Sequence, residues 1–267
     1  MSQEKGKPTR GVLRQRKANH TTKHNRYFAN TNLEYFIEHF WTVSWDLTNK
    51  EPYLVETLPF PSVHIVFEQG NWEIYGVTKG RFSTLLEGRG SVFGIKFRPG
   101  GFHPFFKKNI STLTNKKIPI SNLLKQNISS FENELFEKED EGRKVKQIET
   151  WLEKYLPEKD PKVALVNSII DRIKTDRNIQ SVEQISKFSS MNLRSLQRLF
   201  HEYVGVSPKW VIQRFRIQEV ADRIEKEKSI QYAEFALDLG YYDQAHFIKD
   251  FKNTIGLSPE EYLKSLL

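Results

Sequence analysis

The chain has 267 residues, of which 38% are hydrophobic, 13% aromatic and 28% charged, and it has no cysteine. That length suggests about two domains, each able to bury a core, and the aromatic content excludes a disordered chain. The missing thiols exclude disulfides, cysteine nucleophiles, thiolate metal sites and thiol redox sensing.

The formal net charge is +8, unevenly spread. Residues 1–27 contribute +7, residues 28–161 contribute −1 and residues 162–267 contribute +2. The basic excess is therefore an N-terminal arm over 1–27, expected to be flexible. It either meets phosphates or an anionic surface, or only solubilises the chain. No apolar run approaches the roughly 18 residues of a membrane span. The opening MSQEKGKPTRGVLRQRKANH lacks the apolar centre of a secretory signal. A cytoplasmic protein without membrane contact is expected.

Residues 28–125 are predicted to be β-rich. Tyr35–Leu47, Ser62–Glu68, Trp72–Val77 and Ser91–Phe97 are short runs rich in Val, Ile and aromatic residues, with Gly and Pro between them. Such spacing suggests a sandwich or barrel; Leu33–His39 reads equally as a short helix. Residues 126–157 are predicted to be a helical connector, broken in two at Gly142, that relays or dimerises. The Pro157–Pro161 stretch marks a domain boundary.

From Lys162 onward the pattern is helical. Val163, Val166, Ile169, Ile170 and Ile173 form one apolar stripe. Ser181-Val-Glu-Gln184 is a capping box that starts a helix at Val182. Ser207-Pro208 and Ser258-Pro259 each place a cap before a proline at the first helical position.

This region contains an internal repeat at an offset of 51 residues: Leu196 matches Phe247, Arg198 matches Lys249, Phe200 matches Phe251, Gly205 matches Gly256 and Ser207-Pro208 matches Ser258-Pro259. Each copy reads as helix, tight turn, helix, glycine and a Ser-Pro-capped helix. That is the helix-turn-helix layout, in which the second helix enters the major groove. The first copy spans about 182–203 and the second about 231–254. A linker helix over about 208–226 joins them; at ~1.5 Å per residue it runs ~28 Å. Successive major-groove faces lie ~34 Å apart, so one monomer could reach both, with DNA bending to supply any shortfall.

Ile185-Ser186, Leu196-Gln197-Arg198-Leu199-Phe200, Gly205-Val-Ser-Pro208, Arg216, Gly240-Tyr-Tyr-Asp-Gln-Ala-His-Phe247, Asp250-Phe251 and Gly256-Leu-Ser-Pro259 together resemble the AraC-type regulators' tandem helix-turn-helix domain. Ser186 departs from the family's usual alanine but is small enough for the same contact. LPFPSVHIVFE, VTKGRF and GIKFRPGGF are similar to a poorly characterised cupin-like domain found before such modules. The resemblance implies an α+β chain of two domains: a β-rich, cupin-like sensor or dimerisation domain over 28–125 with a helical extension, and an all-α DNA-binding domain over 162–267. It implies a sequence-specific transcription regulator, activator or repressor. Double-stranded DNA is the implied partner, with room for a small-molecule effector and for pairing of two copies. The alternatives are a ligand-binding cupin-like protein and an architectural DNA-binding protein without an effector.

On the first recognition helix Arg194 and Gln197 are the expected base readers, since Arg to guanine and Gln to adenine are bidentate pairs. Arg198 reads a base or forms an internal ion pair, and His201 falls on the same outward side. Asn192 and Ser195 meet phosphates or only cap the helix. On the second helix Gln244 is the best reader, with His246 beside it, Lys249 on a phosphate and Asp243 as cap. Asp250 needs an internal partner, Arg214 or Arg216. Arg216 is expected to tie the two halves together. Lys209 and Lys252 are phosphate candidates by charge. His64, Arg98 and His103 are candidates for an effector pocket; a salt-linked His64–Glu68 pair and a plain glycine-rich turn at KFRPGGFH are the alternatives. No catalytic residue, cofactor or metal is expected, because the clustered His-x-His pattern of cupin metal sites and the phosphate-loop signature are both missing.

Overall fold

A computed structural model describes residues 11–14, 21–68, 71–123, 131, 140–227, 232, 235–236, 240–241 and 243–266. The strands are β1 (Thr22–Tyr27), β2 (Ile37–Leu47), β3 (Tyr53–Thr57), β4 (His64–Glu68), β5 (Asn71–Tyr75), β6 (Phe82–Leu86), β7 (Gly88–Phe97) and β8 (Lys117–Pro119). The helices are α1 (His103–Phe106), α2 (Glu141–Glu153), α3 (Pro161–Thr175), α4 (Val182–Ser189), α5 (Leu193–Tyr203), α6 (Pro208–Glu227), α7 (Gln244–Ile255) and α8 (Pro259–Lys264). The chain is thus α+β, with strands first and helices after.

Six strands form one antiparallel sheet in the order β1-β2-β7-β4-β5-β8, and β3 pairs with β6 separately. Register assigns opposite roles to the two faces of the large sheet, because side chains alternate along each strand. Phe40, Ile95, Ile65, Ile74 and Ile118 are successive partners across one row. They belong to the first core, which Val145, Ile148, Trp151 and Leu152 of α2 complete. The adjacent row, His39, Lys96, His64 and Tyr75, points to the other face.

Several expectations change here. Residues 22–27, expected in the flexible arm, form edge strand β1 against β2. Residues 11–14 are also placed: Val12 bridges to Thr57, and Leu13 is buried in the core of the second helix-turn-helix. The arm residues Lys5, Lys7, Arg10, Arg16 and Lys17 lie outside the described residues. The helix expected to restart at Gly142 starts at Glu141, after a non-helical Asp140, so Gly142 sits in its first turn, where Asp140 accepts from the Arg143 N–H at 2.7 Å. That helix packs into the β domain instead of standing apart as a connector, because its apolar stripe needs the sheet to cover it. Most of 126–139 lies outside the described residues, as does most of the helix expected near 231–240.

The helical half holds two cores. The α3 stripe packs with Leu196, Leu199 and Phe200 of α5 in one, and Phe247, Phe251, Ile255 and Tyr262 form the other. Helix α6 feeds both: Val211, Ile212 and Phe215 belong to the first, and Ile217, Val220, Ala221 and Ile224 to the second.

The β domain grips both helical cores. The His103 ring stacks on Tyr203 at 3.9 Å, and Thr114 Oγ1 donates to the Gly205 carbonyl at 2.6 Å. Glu56, 5% exposed, pairs with Arg14 at 2.7 Å and with Arg81 at 2.6 Å. Arg81 also donates to the Ile255 carbonyl at 3.1 Å, at the end of α7. The Arg14 backbone N–H donates to Glu225 of α6 at 3.0 Å. Two partly exposed arginines would be left facing an amide in Glu56→Gln. We expect this variant to lose about 2–3 kcal/mol in equilibrium denaturation, below the ~3–5 kcal/mol of a fully buried pair because the arginines keep some solvent.

Candidate nucleic-acid interface

Helix α4 starts at Ser181, where a capping box joins Ser181 and Gln184. It ends at Ser190, which adopts φ +54°. Helix α5 then starts at Asn192, whose Oδ1 accepts from the Ser195 N–H at 2.8 Å. In the second copy Asp243 does the same for α7, accepting from the His246 N–H at 2.7 Å. Asn192 and Asp243 are 51 positions apart, so the repeat in sequence is a repeat in cap geometry. After each second helix the chain turns at glycine, Gly205 and Gly256, both at φ +88°. Only glycine adopts that conformation without strain, and a Cβ at Gly205 would also lie 3.1 Å from the Ile110 backbone.

These caps fix which face of α5 is outward. Leu196, Leu199, Phe200 and Tyr203 are buried, while Arg194, Gln197, Arg198 and His201 are exposed. Among the described residues no hydrogen bond or ion pair holds the Arg194, Gln197 or Arg198 side chains, so the ion pair considered for Arg198 is not formed there. His201 has a different neighbour: its Nδ1 lies 3.3 Å from Ser111 Oγ of the β domain. Leu193, missed by sequence reasoning, is 40% exposed at the head of α5. Its signal was the cap at Asn192, which puts residue 193 in the first turn beside Arg194. On α7, Gln244, His246 and Lys249 are exposed and Phe247 and Phe251 are buried. His246 Nε2 lies 3.7 Å from Asp250. Lys252 is 3.8 Å from Glu261, and Lys209 is exposed near the start of α6.

Residues 185–265 match the profile of a helix-turn-helix domain, and residues 25–119 that of a domain of unknown function, DUF6597. An uncharacterized HTH-type transcriptional regulator of Haemophilus influenzae is 31% identical over 102 residues, 38% of this chain and 34% of that protein. The HTH-type transcriptional regulator MtrA of Neisseria gonorrhoeae is 30% identical over 100 residues, 38% of this chain and 32% of that protein. The chain thus spans about a third of the length of these curated relatives. Among solved structures, a transcriptional regulator with an AraC-type DNA-binding domain from Chromobacterium violaceum is 20% identical, covers 40% of this chain and 92% of its own, and gives a TM-score of 0.35. Residues 185–265 are a helix-turn-helix domain.

Within this domain the contacts of Arg216 differ from the expected tie between the two halves, because they lie at the end of α3 and on α6 itself. Arg216 is 3% exposed, and its Nη2 donates to the carbonyls of Asp176 and Ile179, each at 2.9 Å. This closes the loop after α3 onto α6. Asp250 pairs with neither expected arginine. Gln213 Nε2 donates to it at 3.1 Å, because Gln213 is the α6 residue that faces α7 there. Arg214 instead donates to the Lys79 carbonyl of the β domain. No helix among the described residues is long and apolar enough to cross a membrane.

The three effector-pocket candidates do not converge. Arg98 Nε donates to the Glu34 carbonyl at 2.6 Å, and His103 lies on Tyr203 with Nε2 3.7 Å from Glu202. His64 is on the sheet row with Lys96 and His39, not in a pair with Glu68. Lys96 Nζ lies 3.0 Å from Glu38 and 4.7 Å from the centre of the Phe60 ring. Burial and Lys96 push His39 and His64 each down to about 3. Burial would raise Glu38, but Lys96 and His39 overcome it and hold the carboxyl at about 2.

Both histidines are therefore neutral in the fold, while the unfolded chain protonates them near pH 6.5. Their stabilisation is complete above pH 6.5 and is lost as pH falls toward 3; that of Glu38 is complete above 4.5 and lost only as pH falls through 2. Between pH 7 and pH 5 we expect a loss of roughly 2–4 kcal/mol in denaturant titrations, carried mainly by these two histidines. His39→Gln/His64→Gln flattens that slope.

Proposed function

We propose that this chain is a sequence-specific, DNA-binding transcription regulator. The observation that carries the reading is the duplicated, N-capped helix of the helix-turn-helix domain, which turns an apolar side to its core and leaves amide and cationic side chains outward. Arg194 and Gln197 read base edges, with Arg198 beside them, and Gln244 is their counterpart on α7. Leu193 is placed to meet a thymine methyl group. Lys249 and Lys209 meet phosphates; the Asn192 and Asp243 side chains serve as caps, with their helix N-termini near the backbone. The 20-residue α6 sets a spacing of ~30 Å between the two helix-turn-helix copies, near one turn of B-DNA.

The β domain touches both copies, through His103 and Thr114 at the first and through Arg81 and Leu13 at the second. Those contacts support a sensor whose state reaches both reading helices.

In vitro sequence selection tests the reading. The wild type should enrich two boxes about one helical turn apart. Arg194→Ala and Gln197→Ala should each weaken binding by about 1–3 kcal/mol and relax the first box alone. Lys249→Ala should weaken all sequences similarly and reduce the salt slope by about one. A pool with no enriched motif at physiological salt overturns the proposal.

A further inference from the structure

Arg214 sits on α6 where the β domain meets the second helix-turn-helix. It is 2% exposed, and its Nη2 donates to the Lys79 carbonyl at 2.5 Å. Its Nε and Nη1 have no hydrogen-bond partner among the described residues. A guanidinium is always charged and only donates, so burying one without a carboxylate is costly. Unsatisfied buried groups of this kind are few in native proteins, and each calls for a partner. Burial alone pulls Arg214 down to about 10, with no neighbouring carboxylate to offset it. The Trp210 ring, 4.8 Å from the guanidinium carbon, offers only its electron-rich face.

The same side chain lines a small open cleft of about 80 Å³ between α6 and α7. Trp210 and Ile217 give it an apolar wall, and Tyr241, Asn253 and Asp250 give it polar groups. The Tyr241 hydroxyl is buried and hydrogen-bonds toward Asp250. Burial and Asp250 raise its pKa, so it keeps its proton and can donate. An uncompensated cation therefore lines this opening.

We propose that this cleft binds a small monocarboxylate, its carboxylate on Arg214 and its short apolar body against Trp210 and Ile217. Guanidinium and carboxylate are matched donor and acceptor. Asp250, already engaged by Gln213, repels a second negative charge, which selects a monoanion over a phosphate dianion. Occupancy completes the polar junction among the loop before β6, the linker helix and α7. The site is independent of the DNA reading, and its test uses no DNA.

The full chain is titrated at constant ionic strength with propionate, with its uncharged isostere propionamide, and with inorganic phosphate, followed by calorimetry and thermal melting. Propionate has five non-hydrogen atoms, so saturable binding in roughly the millimolar range is expected. Propionamide and phosphate should bind at least about tenfold more weakly. Arg214→Gln should abolish propionate binding. Asp250→Asn leaves Arg214 in place and keeps an acceptor for Gln213; it should bind phosphate about tenfold more tightly than the wild type. Propionate binding no tighter than propionamide overturns the site, as does phosphate affinity unchanged in Asp250→Asn.

Discussion

Helix α6 divides its buried side chains between two cores, and the geometry of the helical half follows from that division. Neither helix-turn-helix is large enough to bury much by itself, and each borrows one end of the same helix. The two copies are therefore held by one rigid rod and not by a flexible tether. Arg216 stands where the halves meet. Its position is fixed by carbonyls at the end of α3, which a guanidinium satisfies in parallel. Removing such a group strands several acceptors at once, so the joint resists small changes in sequence.

The duplication preserves the frame and varies the surface. Asn192 and Asp243 cap equivalent helices, Gly205 and Gly256 turn the chain at the same φ, and Phe200 and Phe251 fill matching places in the two cores. The outward positions differ more. The first copy presents Arg194, Gln197 and Arg198. The second presents Gln244, His246 and Lys249, with Asp250 drawing His246 toward itself. Equal frames with unequal surfaces suit a reader of two different half-sites.

The β domain joins the helices through groups that lie far apart in sequence. Glu56 gathers Arg14 and Arg81, and through them the domain reaches α6 and the end of α7. His103 and Thr114 hold the first copy. On the sheet itself, the face away from the first core carries His39, Lys96 and His64 side by side. The charge of Lys96 is balanced by Glu38, and both imidazoles are kept neutral.

Local rules made the helical half legible. Caps are short-range: Ser181, Asn192, Asp243 and Ser258 each act within three residues, so their effect can be read in a line of text. The apolar stripes of α3 and α5 and the 51-residue repeat are legible for the same reason. Strands β1, β3, β6 and β8 were not, because a short edge strand is defined by its partner more than by its own residues. Nor was Gly142 within α2, where the cap at Asp140 outweighs a poor propensity. Partner choice lay furthest out of reach. Which of Gln213 and Arg214 meets Asp250, whether Arg98 and His103 share a pocket with His64, and where Leu13 is buried depend on contacts across tens to hundreds of residues. The sequence by itself determined two N-capped helices, their outward side chains and the length between them, because those follow from 3.6-residue periodicity and capping. Only the tertiary structure decided how the β domain grips that pair and which buried charges go uncompensated, because burial and ion pairing depend on the distances that folding brings about.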